Sequence, residues 1–467
     1  MAHPLPPLFL LAAALSGCAR PPEQTARVVV IGAPEALFAT ETPLPLPARL
    51  LRGATAEGLV ALDAEGRVVP AMAERWIIAD EGQSYIFRLR DGLWFDGVRI
   101  NAESVRAALN RALAAQHGTP LGLDLGVVRD VRAMAARVVE IRLRHPMPDF
   151  LQLLAQPELG LAPSDGATGP LALRREGAFA WLTAIPPDQR GLPVPDGWAA
   201  SVRPVTLSAR PAGIALADFA AGRADLVLGG RFTDYPGAVR GLSPQFDSVS
   251  GLFGLMVENE DGVLATSDSR EAIAMALDRA ALGAALGLSD WVPTTRILTA
   301  GGGERWASMD GPARRELARQ HLAAWGGKSP TLRIALPAGH GADVLAQHLT
   351  DDLAQIGVKA QRVPIDAPAD LRLLDVVARY PSPAWVFHQF ACAVRDPCSP
   401  ESDALAAQAE QGDSALYARA EAALAQSGLF IPLGQPLRWS LVAPGLVGFQ
   451  PNRWAYHPLP PLAVRTR

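Results

Sequence analysis

Apolar and polar positions alternate along this chain in two rhythms, one of period two and one of period 3.6. The run "RVVVIGAP" (27–34) is apolar without interruption and predicts a buried strand at the start of the folded part. Further on, Tyr85, Phe87 and Leu89 alternate with Ile86, Arg88 and Arg90, which predicts a strand with one aromatic and apolar face. Asp91-Gly92 and Asp96-Gly97 are turn signals on either side of "LWF". Asn101 then suits a helix N-cap, because its side-chain oxygen accepts from the free amides of the first turn; Val105, Ala108, Leu109, Ala112 and Leu113 line one face of the helix that follows. A second alternating strand, "RVVEIRLRHPMPDF", is stopped by Pro146 and Pro148. Residues 164–198 are rich in Gly, Pro and polar residues and read as loops and a lobe junction.

Beyond that junction, "LADFAAGRADLVLGG" reads as a short helix, a stop at Gly222 and a strand, and "SREAIAMALDRAALGAALG" as one helix carrying Ile273, Ala276, Leu277, Ala280 and Ala281. The last third repeats the rhythm: "TLRIALP" is a strand, "ADVLAQHLTDDLAQIG" a helix with Leu345, Leu349, Leu353 and Ile356 on one face and Gly357 as its stop, and "VKAQRVPI" a strand. Strands and helices alternating in this way define an α/β chain. No internal repeat of fixed period and no low-complexity tract interrupts it.

Length and composition narrow the class. At 467 residues the chain exceeds the size at which one core stops growing, so two or three lobes are expected. With 49% hydrophobic and 19% charged residues it is globular rather than disordered. A net charge of −4 offers no general nucleic-acid footprint, which needs a concentrated excess of Lys and Arg.

The three cysteines fall into two groups. Residues 8–15 form an apolar run too short to cross a bilayer as a helix, followed by small Ser16 and Gly17 and then Cys18. Leu-Ser-Gly-Cys resembles the lipobox of bacterial lipoproteins, in which the cysteine is acylated and heads the mature chain; His3, rather than Lys or Arg, precedes the run. The alternatives are an ordinary secretory signal or a buried N-terminal cysteine. The lipobox reading makes residues 1–18 a signal peptide and 19–26 a linker, and places the domain outside the cytoplasm, periplasmic and tethered to the membrane only through that lipid. There, Cys392 and Cys398 in "ACAVRDPCSP" are expected to close a short disulfide loop, two free thiols being the alternative; a zinc site lacks further ligands at suitable spacing.

Five separated blocks, in order, resemble the extracytoplasmic solute-binding proteins of the oligopeptide, dipeptide and nickel uptake family, the binding partners of ABC importers. They are "VVPAMAERW" with "YIFRLRDGLWFDGVRINAESVRAALNRAL"; "AAGRADLVL"; "SREAIAMALDRAAL"; "LARQHLAAWG"; and "LYARAEAALAQSGLFIPLGQP" followed by "GLVGFQPNRW". The resemblance implies a two-lobed periplasmic-binding-protein type II (cluster C) fold with an additional third subdomain. It assigns 27–52, 168–250 and 440–467 to the first lobe, 53–167 to the additional subdomain and 251–439 to the second lobe. It further implies a hinge, a small solute (a peptide or a small anionic compound) trapped between the lobes, a permease and ATPase as partners, and a monomer without a cofactor.

The resemblance places "LLDVVARYPSPAW" on the ligand side. Peptide-binding members carry an aspartate before the tyrosine there, which receives the peptide's amino terminus; this chain is shorter and has Arg379 before Tyr380. A cation cannot receive an ammonium group. If Arg379 faces the cleft it favours an anion, since a guanidinium forks onto paired oxygens; the alternative is that it faces solvent or pairs with a nearby acid. Trp385 and His388 follow in "AWVFHQF", with Trp385 either walling a ligand or lying in the core of a strand face. Glu258 and Asn259 occupy the place of a crossover strand near the cleft or else a surface turn. Arg88, Arg90, Asp91 and Asp96 of the signature block read as structural, with the arginines exposed. His388 alone makes no metal site, and His321, His340 and His348 lack metal-ligand spacing.

Two other classes compete. No G-x-S-x-G elbow, H-E-x-x-H pair or phosphate loop supports an enzyme, and "TAGGGERW" lacks the Lys and Ser or Thr of a phosphate loop. A lipoprotein of the same fold acting as sensor or scaffold is the other alternative.

Overall fold

A computed structural model describes residues 25–94, 97–161, 168–237, 241–289, 291–298, 303–327 and 329–465. Residues 1–24, which hold the expected signal peptide with Cys18 and most of the expected linker, lie outside the described residues, as do Asp96 and the glycines at 301–302.

Strand Ala26–Ile31 explains the first sheet. Val28 and Val30 point into one core and Val29 and Ile31 into another, so the strand is covered on both faces and needs no polar alternation. It pairs in parallel with Val205–Arg210 on one side and Leu226–Arg231 on the other. Antiparallel strands extend the sheet to seven: Arg438–Val442 and then Gln245–Phe246 beyond Leu226–Arg231, and Phe179–Ala184 and then Leu171–Glu176 beyond Val205–Arg210.

A second sheet has five strands in the order Lys359–Pro364, Thr331–Leu336, Leu371–Val377, Gly251–Val257, Phe430–Gly434. Helix His340–Ala354 buries Leu345, Leu349 and Leu353 against it. A third sheet, wholly antiparallel, holds Ala73–Ala79, Ser84–Leu89, Val138–Leu143 and Val128–Ala135. Its alternating strand buries Tyr85, Phe87 and Leu89, with the Tyr85 ring 4.9 Å from that of Phe150. Asn101 caps helix Ala102–Ala114 as expected, accepting from the Ser104 amide at 2.9 Å.

The chain passes between the first two sheets twice, through residues 247–250 and 435–437. Among the described residues no helix is long and apolar enough to cross a membrane.

Four expectations change. In 164–198, residues 171–184 form a hairpin, because "LALRRE" and "FAWLTA" flank Gly177 at φ 60°. The predicted single helix from Ser269 is two, Ser267–Ala276 and Arg279–Ala285, since Asp278 caps the second by accepting from Ala281. Trp385 lies on helix Pro383–His388, not on a strand: Ser382 caps it and Pro383 sits in its first turn. Arg90 is buried rather than exposed, paired with Glu57, which also pairs with Arg190 at 2.8 Å. Arg88 and Asp91 make surface pairs with Glu74 and Arg137.

Candidate functional site

Between the seven- and five-stranded sheets lies a cavity of about 380 Å³. All three sheet regions wall it. Helix Leu46–Thr55 contributes Arg49, the 3-10 turn Pro157–Leu159 contributes Glu158, and the end of Leu371–Val377 leads into Arg379. Gly229, Gly230 and Trp439 come from the seven-stranded sheet; a Cβ at Gly230 would fall 2.2 Å from the Trp439 ring, so only glycine lets the indole lie against this backbone.

Glu158 is the centre of the charge pattern. Its carboxylate is 3.2 Å from Arg49 Nε and accepts from Arg379 Nη2 at 3.0 Å, while Arg379 Nη1 donates to Gln156 at 3.0 Å. Burial alone would push the Glu158 carboxyl up, but the two guanidiniums win and hold it down at about 2. The Arg49 guanidinium also lies 5.7 Å from the centre of the Tyr456 ring.

Nearby, Arg438 donates to Asp375 at 2.7 Å and so ties the two large sheets directly. Asp247 is paired with His457 at 3.1 Å and accepts from the Asn452 amide at 2.8 Å. Behind Arg379, Tyr380 donates to Asp124 at 2.7 Å, and His388 sits between Asp124, 2.7 Å from Nδ1, and Glu410, 2.9 Å from Nε2. Burial lowers His388, yet its bonds to the two carboxylates outweigh this and raise it to about 9, so at neutral pH it is an imidazolium. Burial pushes Asp124 and Tyr380 upward.

The sequence-derived candidates therefore separate. Arg379 lines the cavity and also pairs with an acid, so both alternatives hold at once. Trp385 walls the cavity from a buried helix. Tyr380 and His388 bind Asp124 rather than facing this cavity. Glu258 and Asn259 do not reach it: Gly251 pairs with Val377 and Val257 with Leu371, so the start of strand Gly251–Val257 points to the cavity and its end points away. Glu258 instead pairs with Arg372 at 3.2 Å, and Asn259 bonds Asp370. Cys392 and Cys398 are joined in a disulfide after helix Pro383–His388. Among the described residues no group of three His, Cys, Asp or Glu side chains is placed to hold a metal ion. Arg49, Glu158, Asp375 and Arg438 were not singled out in the sequence, since each gains its meaning only from a partner far along the chain.

Two sheets joined by two crossing segments, with a charged cavity between them, define a two-lobed binding protein. The model for bacterial extracellular solute-binding proteins, family 5 (Middle), matches residues 67–392, and the chain belongs to that family. A probable di/tripeptide-binding protein 5 of Pseudomonas aeruginosa is 26% identical over 482 residues, 87% of this chain and 89% of that protein. The probable deoxycholate-binding periplasmic protein YgiS of Escherichia coli is 37% identical over 121 residues, a match that spans 22% of this chain and only 23% of that protein. Among solved structures, Haemophilus influenzae OppA complexed with the peptide RPPGFSPFR has the same fold, with a TM-score of 0.81 at 16% identity over 95% of this chain and 100% of that one.

Proposed function

We propose that this protein is the extracytoplasmic solute-binding component of an ABC uptake system, capturing a peptide-like or other small solute between two lobes for delivery to a permease and ATPase. In this scheme residues 27–52, 168–250 and 440–467 form one lobe, 251–439 the other, and 53–167 the additional subdomain. The observation that carries the proposal is the cavity itself, walled by all three parts around Arg49, Glu158 and Arg379. A solute held there touches both lobes only when they are together, so its binding energy shifts the population toward the closed form.

The soluble domain without residues 1–18 is expected to melt at a higher temperature in the presence of its solute, by mass action on the folded state. A panel of peptides, sugars, opines and metal chelates, read by thermal melting, checks this. No shift with any compound would favour a scaffold or sensor role for the same fold.

The lipobox-like "LSGC" supports attachment through a lipid on Cys18. Labelled palmitate is expected to enter the wild-type chain and not Cys18→Ala; equal labelling of both would remove the anchor and leave the binding fold standing.

A further inference from the structure

The cavity between the sheets shares Ala378, Trp385 and Trp454 with a second, larger one of about 1000 Å³. The two adjacent chambers differ in character. In the smaller, three of the four lining carboxylates face a cation: Glu158 has Arg49 and Arg379, Asp375 has Arg438, and Asp124 has His388, while Asp247 bonds the His457 ring. Glu158 is outnumbered by its arginines. Its bonds and those of Gln156 use only part of the five N–H donors on each guanidinium.

The side chains of Glu158, Asp375 and Asp124 are almost wholly buried, whereas Arg49 and Arg379 keep a fifth of theirs exposed, so a solute in the cavity meets guanidinium edges before it meets these carboxylates. A free ammonium is a poor match, because Glu158, Asp375 and Asp124 each face a cation already and the arginine pair repels it.

In the larger chamber the less exposed charges are likewise paired within the protein. Glu271 pairs with Arg305 at 2.8 Å, and Glu421 pairs with Arg296 while accepting from the amides of Ile297 and Leu298. The exposed Asp268 and Arg453 are of opposite sign. The rest of the wall combines uncharged polar groups, among them Ser382, Tyr417 and Gln426, with an apolar strip of Pro381, Pro383, Trp385, Val386 and Trp454. Such a surface recognises area rather than charge.

We infer that the solute is an amphipathic organic anion: a carboxylate for the Arg49 and Arg379 guanidiniums and an apolar body in the larger chamber. The inference rests on the solute-capture function proposed above and names its substrate class.

Calorimetric titration of the wild-type domain with three probes of one shape tests it: N-acetyl-Leu-Phe (an anion), its C-terminal amide (neutral) and Leu-Phe amide without the acetyl group (a cation). The anion is expected to bind at least about tenfold more tightly than the neutral amide, the cation not at all, and an N-octanoyl anion more tightly than the N-acetyl one. Arg379→Met, confirmed folded by circular dichroism, should lose the preference for the anion. The wild-type comparisons decide the matter even if that variant fails to fold. A cation bound as tightly as the anion, or silence to all these probes while a solute of another class raises the melting temperature, overturns the inference and leaves solute capture standing. Silence to every compound overturns solute capture itself.

Discussion

Glutamine in place of Glu158 is expected to cost the folded protein about 3–5 kcal/mol, the loss typical of breaking a buried ion pair from one side. The side chain is 2% exposed and stands between two guanidiniums supplied by different parts of the fold. Glutamine keeps the shape and removes the charge, so Arg49 and Arg379 are left beside each other without compensation. The acid titration points the same way. A carboxyl lowered from 4.5 to about 2 corresponds to roughly 3 kcal/mol of linkage, present above pH 4.5 and lost as pH falls through about 2. Urea melts of wild type and Glu158→Gln at pH 7 and pH 3 should therefore differ most at pH 7 and converge in acid. Equal midpoints at pH 7 would mean that the cluster contributes nothing to the fold.

His388→Gln is expected to lose roughly 3 kcal/mol near neutral pH and, with it, one arm of the protein's pH dependence. The imidazole is raised from 6.5 to about 9, so its contribution is complete below pH 6.5 and disappears as pH rises through about 9. Physically, the imidazolium holds helix Pro120–Asp124 of one region to Glu410 of another, and above pH 9 it leaves two carboxylates facing a neutral ring. Melting temperatures measured between pH 6 and pH 9.5 should fall in the wild type and stay flatter in the variant. Parallel curves for the two would refute the bridge.

Much of the fold was legible because burial imposes a rhythm on neighbours in sequence. Tyr85, Phe87 and Leu89 announce a one-sided strand, and Asn101 announces the helix after it. The hairpin over 171–184 was harder: its alternation is short, and the Gly and Pro around it dominate the composition. For Trp385 the signal existed in Ser382-Pro383, a cap followed by a first-turn proline, but the apolar residues after it fit either period. The site was the least legible part. Arg379 stood out by its type, whereas Glu158 lies 221 positions away and is one acid in "QPELGLA". Nothing local marks a carboxylate as the counter-charge of a distant arginine; only the folded chain brings them together. Glu258 and Asn259 show the converse. They lie just past the end of strand Gly251–Val257 rather than on it, and which of its ends meets the cavity depends on its antiparallel register with Leu371–Val377.

The two passages between the large sheets, residues 247–250 and 435–437, are tethers of only a few residues, the second containing Pro436. A three-residue span reaches at most about 10 Å even when fully extended, and a proline fixes one of its torsions. Short connections of this kind favour rotation about the line joining them over sliding or separation. In the proposed two-lobed scheme that rotation is the motion that would open the cavity, and it has to part Arg379 from Glu158 and His388 from Asp124 to do so.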